Sequence, residues 1–233
     1  LDFIRCCVER DRLEPEAKQV VTEYIEGFLG VPRAEQGRPE RSAFPVGAHV
    51  CPFVRGSLEH GLTSVIQLAG VTNIERVTLS VRDALDGFPT LEPTQGKKTA
   101  DKVILLIYPD IPPDQARKII DVVQATEKPS FVAQGMMIGQ FHPFSDEPGV
   151  YNAAFRPLRS PFPMIAIRKI VPEDHPFLIG PGTPPDQRVL NAKAWLRACK
   201  EWDPEDYGTS RARNVISAVQ VMLGELGDEF LQI

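Results

Sequence analysis

The chain has no long apolar run. The longest, Val103 to Ile107, is the size of a strand, far short of the roughly 20 residues that cross a bilayer as a helix, so no membrane partner is expected. There is no basic segment followed by an apolar one, as a signal peptide would need, and a cytoplasmic location is expected. Cationic excess is also lacking: 26 Lys and Arg stand against 31 Asp and Glu, a formal charge of −5. Affinity for nucleic acid rests on neutralising phosphates, so no nucleic-acid partner is expected. Cysteine is sparse, with Cys6, Cys7, Cys51 and Cys199 and no C-x-x-C pair. That argues against a disulfide framework and a structural zinc site, and for reduced thiols. The four histidines, His49, His60, His142 and His175, fall at none of the spacings of a helical zinc pair. No G-x-S-x-G elbow anchors Ser57, Ser145 or Ser160. Gly180 to Thr183 reads as a turn, because no helix-starting GK[ST] follows it.

What is present is ordinary globular composition, 42% hydrophobic and 24% charged over 233 residues, which suits one domain spanning 1–233. Proline is the excess. Its 22 copies fix φ and remove backbone donors, so ordered irregular loops are expected at about 31–47, 86–100, 143–163 and 172–186.

Apolar residues at Val20, Val21, Tyr24, Ile25, Phe28 and Leu29, after Pro15 and before Gly30, predict a helix over 14–29. The apolar knot Ala48 to Val54, with Pro52 inside it, suits a buried turn better than a central strand. Strands are predicted at 64–68, 76–81 and 102–108, the last apolar enough to be covered on both faces. Pro112-Pro113-Asp114 then starts a helix that is expected to end before Lys128-Pro129. Met136 to Phe141 follows as a strand, completing a β-α-β unit, and 163–171 is a further strand. Helices over 186–202 and 211–230 close the chain, and the amphipathic second one leaves room for a homodimer. The expected class is α+β: a mixed β-sheet core with a β-α-β unit, an N-terminal helix and two C-terminal helices packed on the sheet.

The segment 135–164 carries the densest chemistry. His142 lies where a strand exits into a loop, between Phe141 and Pro143-Phe144, and strand exits aim side chains into clefts. A neutral imidazole among aromatics is what a haem axial ligand requires; a buried histidine bonded to backbone is the plainer reading. Arg156 and Arg159, three apart between prolines, hold guanidinium forks suited to carboxylates such as haem propionates or an acidic substrate. Asp146 and Glu147 are their alternative partners. Cys51 is a rival ligand or nucleophile, but its flanks Val50, Pro52 and Phe53 offer no donors to a thiolate.

Val50-Cys51-Pro52-Phe53, then Gly139-Gln140-Phe141-His142-Pro143, then Arg156 with Arg159, then Ser160-Pro161-Phe162-Pro163 occur in that order. This order resembles a group of bacterial domains with a CPF…FHP…RSPYP pattern. It also resembles the YqcI/YcgG-type family of haem-dependent N-oxygenases, over roughly 48–177. Phe141 stands where that family has an aliphatic residue, and Arg168 to Val171 lacks its F-N-x-H ending. The resemblance implies haem b with its iron on His142, arginines near the propionates, and oxidation of an amino or guanidino nitrogen by dioxygen or peroxide. The expected function is therefore a cytoplasmic haem-dependent monooxygenase acting on a small-molecule substrate, with an electron donor as partner. The alternatives are a non-catalytic haem or small-molecule binding protein, and a metal-free enzyme using His142 as general base beside Asp146 or Glu147.

Overall fold

Parallel pairing of two apolar segments organises the first part of the chain. In the computed structural model, which describes residues 15–29, 51–149, 153–180, 182–200 and 219–220, β1 (Thr63–Gln67) lies beside β2 (Val103–Ile107), with Thr63 opposite Val103 and Gln67 opposite Ile107. Parallel neighbours need a crossover. It is supplied by α3 (Ile74–Gly87), which follows α1 (Pro15–Tyr24) and α2 (Pro52–Glu59) in the chain. Then come α4 (Val122–Ala133), β3 (Met136–Phe141), β4 (Met164–Lys169), α5 (His175–Ile179) and α6 (Pro185–Lys200). The described strands form one sheet in the order β1-β2-β4-β3. Tyr108, just past β2, donates to the Pro163 carbonyl just before β4 at 2.9 Å, so those two strands run antiparallel and the sheet is mixed. The α+β class is as expected, and β-α-β units run from β1 to β2 and from β2 to β3, the second with β4 interposed.

Residues 76–81 are helical, not the expected strand. Their β-branched content misleads in a short window, whereas Val77, Val81, Ala84, Leu85 and Phe88 are buried at helical spacing. Asn73 caps this helix, its side chain accepting from Arg76 N–H at 2.9 Å. The knot around Cys51 is likewise a helix start: Cys51 is the N-cap of α2, with Pro52 as its first residue. Proline suits that position because the N–H it lacks would have no intrahelical partner. Helix α4, preceded by a π-helical turn Arg117–Asp121, runs through Pro129 to Ala133 rather than stopping before it. Burial of Phe131 and Val132, worth about 1.5–3 kcal/mol each, offsets the roughly 3 kcal/mol cost of an interior proline.

The chain groups into two compact units, residues 1–125 with 138–167, and residues 126–137 with 168–233. In the first unit β2 alternates its side chains. Leu105 and Ile107 join Met164 in one core with Val21, Tyr24, Ile25 and Leu29 of α1 and the π-helical turn after it. The intervening Ile104 and Leu106 are buried too and point to the opposite face. On that face the buried Tyr108 hydroxyl meets Ser80 Oγ of α3 at 2.9 Å, and burial holds the phenol well above its ordinary pKa.

The second unit is built on Trp195, fully buried with Val132, Met137, Ile170, Leu178 and Cys199. Its indole N–H donates to the Val171 carbonyl at 3.2 Å. Asp174, wholly buried, holds Arg168 in a two-pronged pair at 2.6 and 2.7 Å and accepts from Val171 N–H at 2.9 Å. Gly135, with φ of 74°, makes the left-handed turn from α4 into β3. The expected loop at 31–47 and most of the expected helix at 211–230 lie outside the described residues. Among the described residues no helix is long and apolar enough to cross a membrane.

Because Asp174 closes both a buried ion pair and a turn, Asp174→Ala should destabilise the fold by about 3–5 kcal/mol. Urea denaturation followed by tryptophan fluorescence measures this, and a loss under 1 kcal/mol would make the pair a surface-like one.

Candidate functional site

The loop after β3 is stitched together by one backbone position. His142 N–H donates to the Leu158 carbonyl at 3.2 Å, and its carbonyl accepts from Ser145 N–H at 3.1 Å and Ser160 N–H at 3.4 Å. Both ends of the 143–160 loop therefore return to the same residue. Its prolines limit what the rest can do.

The His142 side chain is 0% exposed, with Nε2 lying 3.0 Å from Asp121 Oδ1 at the end of the π-helical turn. Opposite a carboxylate the proton is assigned to Nε2, which leaves Nδ1 as an acceptor. Nδ1 and the buried Ser145 hydroxyl three residues on have no hydrogen-bond partner among the described residues. Such groups cost about 1–3 kcal/mol each, and π-helical turns with strained polar groups gather at functional positions. Even so, no atom of this ring meets a water-sized space, so as it stands His142 does not fit an axial ligand facing a porphyrin.

Arg159 does meet Asp146. Its Nη2 donates to Asp146 Oδ1 at 3.2 Å and its Nε to the Ser145 carbonyl at 2.9 Å. The other oxygen, Oδ2, accepts from Arg117, whose Nη2 also donates to the Phe144 carbonyl at 2.9 Å. The Arg117 bond and charge, and after them those of Arg159, hold the Asp146 carboxyl below the ordinary aspartate range. Arg156 turns away from this group and donates to the carbonyls of Ala153 and Phe155 within its own loop.

A second grouping lies on the other side of β3. Phe141, Cys51 at the N-cap of α2, Val54 and Leu58 of α2, Phe162 and Ala166 each pack against the core of Tyr24, Leu105, Ile107 and Met164. These six outer residues are only partly buried. Cys51 is a free thiol at the start of α2, which has no acidic residue in its first turn. N–H groups that a helix cannot pair internally point outward there and favour an anionic partner. Those donors were not visible in the flanking residues, which is why Cys51 ranked below His142 on sequence. Cys51 N–H donates to the Leu29 carbonyl at 3.1 Å. Tyr24 donates its hydroxyl to the Pro157 carbonyl at 2.9 Å, and burial, helped by the nearby Cys51, pushes that phenol far up.

Of the five residues expected to share a site, Cys51 and Phe141 are together, Arg159 belongs to a separate ionic group, and His142 and Arg156 are each engaged elsewhere. The sequence reading missed Asp121, Arg117 and Tyr24. Arg117 and Asp121 lie on one predicted helix four residues apart, but each pairs with a distant residue, Asp146 and His142, so that spacing carried no signal. Among the described residues no three His, Cys, Asp or Glu side chains gather as a metal-ion site. A haem needs only one protein donor beside an apolar surface; Cys51 is a donor of suitable type, and Phe141 and Phe162 pack against the same core as it does.

These features define an α+β domain with a free thiol at a helix start above a half-open apolar face. The chain belongs to the family described as a domain of unknown function, DUF6875, whose model matches residues 18–199. No curated protein and no solved structure matches it.

Asp121→Ala leaves both nitrogens of a buried ring unpaired, so a loss of about 1–3 kcal/mol is expected, read from thermal denaturation against Asp121→Asn, which keeps an acceptor. Carboxyl-detected NMR should find Asp146 titrating below the ~3.9 of free aspartate. Arg117→Ala should raise that value more than Arg159→Ala does.

Proposed function

We propose that this chain is a haem-binding oxidative enzyme in which Cys51, and not His142, holds the iron. The single observation that carries the reading is the thiol at the start of α2, partly exposed and packed against the same core as Phe141 and Phe162. The haem would supply activation of dioxygen or peroxide, and the substrate class is the amino or guanidino nitrogen of a small metabolite. The protein's part is binding and orientation. The Cys51 sulfur would hold the iron, the aromatic and aliphatic face would cover a flat apolar group, and Tyr24 stays protonated as it ties the 153–163 loop to that face. With dioxygen as oxidant an electron donor is the partner required, with peroxide none is, and the cytoplasm, where thiols stay reduced, is the compartment it suits.

A haem on His142 is the second reading. What favours it is the Asp121 carboxylate on one ring nitrogen, with the other having no partner among the described residues, the pattern that carboxylates impose on metal-binding histidines. It requires the loop to open around Nδ1.

Protein produced with a haem precursor should show a Soret band that Cys51→Ala abolishes and His142→Ala, if folded by circular dichroism, retains. The reverse pattern transfers the iron to His142. Colourless protein that takes up no added hemin ends both readings and leaves binding of another apolar metabolite at the same face.

A further inference from the structure

The Arg117, Asp146 and Arg159 group lies outside the proposed haem face. Two guanidinium groups, 55% and 53% exposed, share one carboxylate that is itself 64% exposed. Each oxygen of Asp146 serves a different arginine. Both arginines are also held by backbone, Arg117 on the Phe144 carbonyl and Arg159 on the Ser145 carbonyl, each at 2.9 Å. Each guanidinium is thus tied to the main chain as well as to Asp146. Two cations here share one anion, on a chain whose formal charge is −5.

We propose that Arg117 and Arg159 form a clamp for the carboxylate of a small acid, and that Asp146 is an internal plug which the ligand displaces. The charges and donors match because a ligand carboxylate repeats the contacts Asp146 makes. The displacement is inexpensive because exposed ion pairs contribute little. Preorganised guanidinium groups also spare the ligand the cost of ordering them. This site does not depend on haem.

The test uses the full chain without haem, titrated with succinate and, separately, with inorganic phosphate by calorimetry. Asp146→Ala should bind succinate about threefold more tightly than the parent chain, the effect of removing an exposed ion-paired competitor. Adding Arg159→Lys, which keeps the charge and loses the fork, should reverse that gain. Equal succinate affinity in the parent and Asp146→Ala chains, or a gain that survives Arg159→Lys, overturns the proposal. Tighter binding of phosphate than of succinate overturns the carboxylate assignment.

Discussion

Successive side chains of a strand point to opposite faces, and this constraint at the end of β3 decides where each candidate residue can act. Phe141 goes to the apolar face with Cys51; the next residue, His142, meets Asp121. The strand ends at Phe141, and beyond it the two side chains have different partners. His142 instead acts as the peg to which both ends of its loop return.

That peg has an energetic consequence. Two carbonyl bonds and one N–H bond at a single residue fix the loop, yet the imidazole and Ser145 each leave a polar atom without a partner among the described residues. The offset has to come from apolar burial nearby, and the adjoining strands supply it: Ile138, Ile165 and Ile167 are almost completely buried. A fold that carries such a cost beside a π-helical turn concentrates its strain at one place.

Much of the architecture was legible because it depends on local periodicity. The strands around 64–68, 102–108 and 136–141 declare themselves through apolar runs, and α6 through its helical face. The strand assigned to 76–81 failed because six residues are too few to separate a period of two from one of 3.6 when valine and threonine dominate. The extended reading through Phe88 would have shown the helix. Cys51 was legible as a residue but not as a site, since Pro52 marked a turn and a helix start equally well. The site itself was less legible. His142 and Phe141 looked like one feature because they are adjacent, and only the pleat separates them. Arg117 was hidden because a tertiary contact, not spacing, brings it to Asp146.

The loop from 153 to 163 connects the two candidate sites mechanically. Its Pro157 carbonyl is held by Tyr24, a member of the apolar core beside Cys51. Two residues later Arg159 reaches Ser145 and Asp146. Between them the backbone bonds from Arg159 N–H to the Arg156 carbonyl and from Ser160 N–H to the His142 carbonyl leave little slack, and Pro157, Pro161 and Pro163 remove more. A ligand that displaces Asp146 changes the partner of Arg159 on a segment whose other end is tied to the thiol face. The backbone between Pro157 and Arg159 is the shortest physical link between the two. Were an acid at the clamp to alter the apolar face, linkage would require a ligand on that face to alter the clamp by the same free energy.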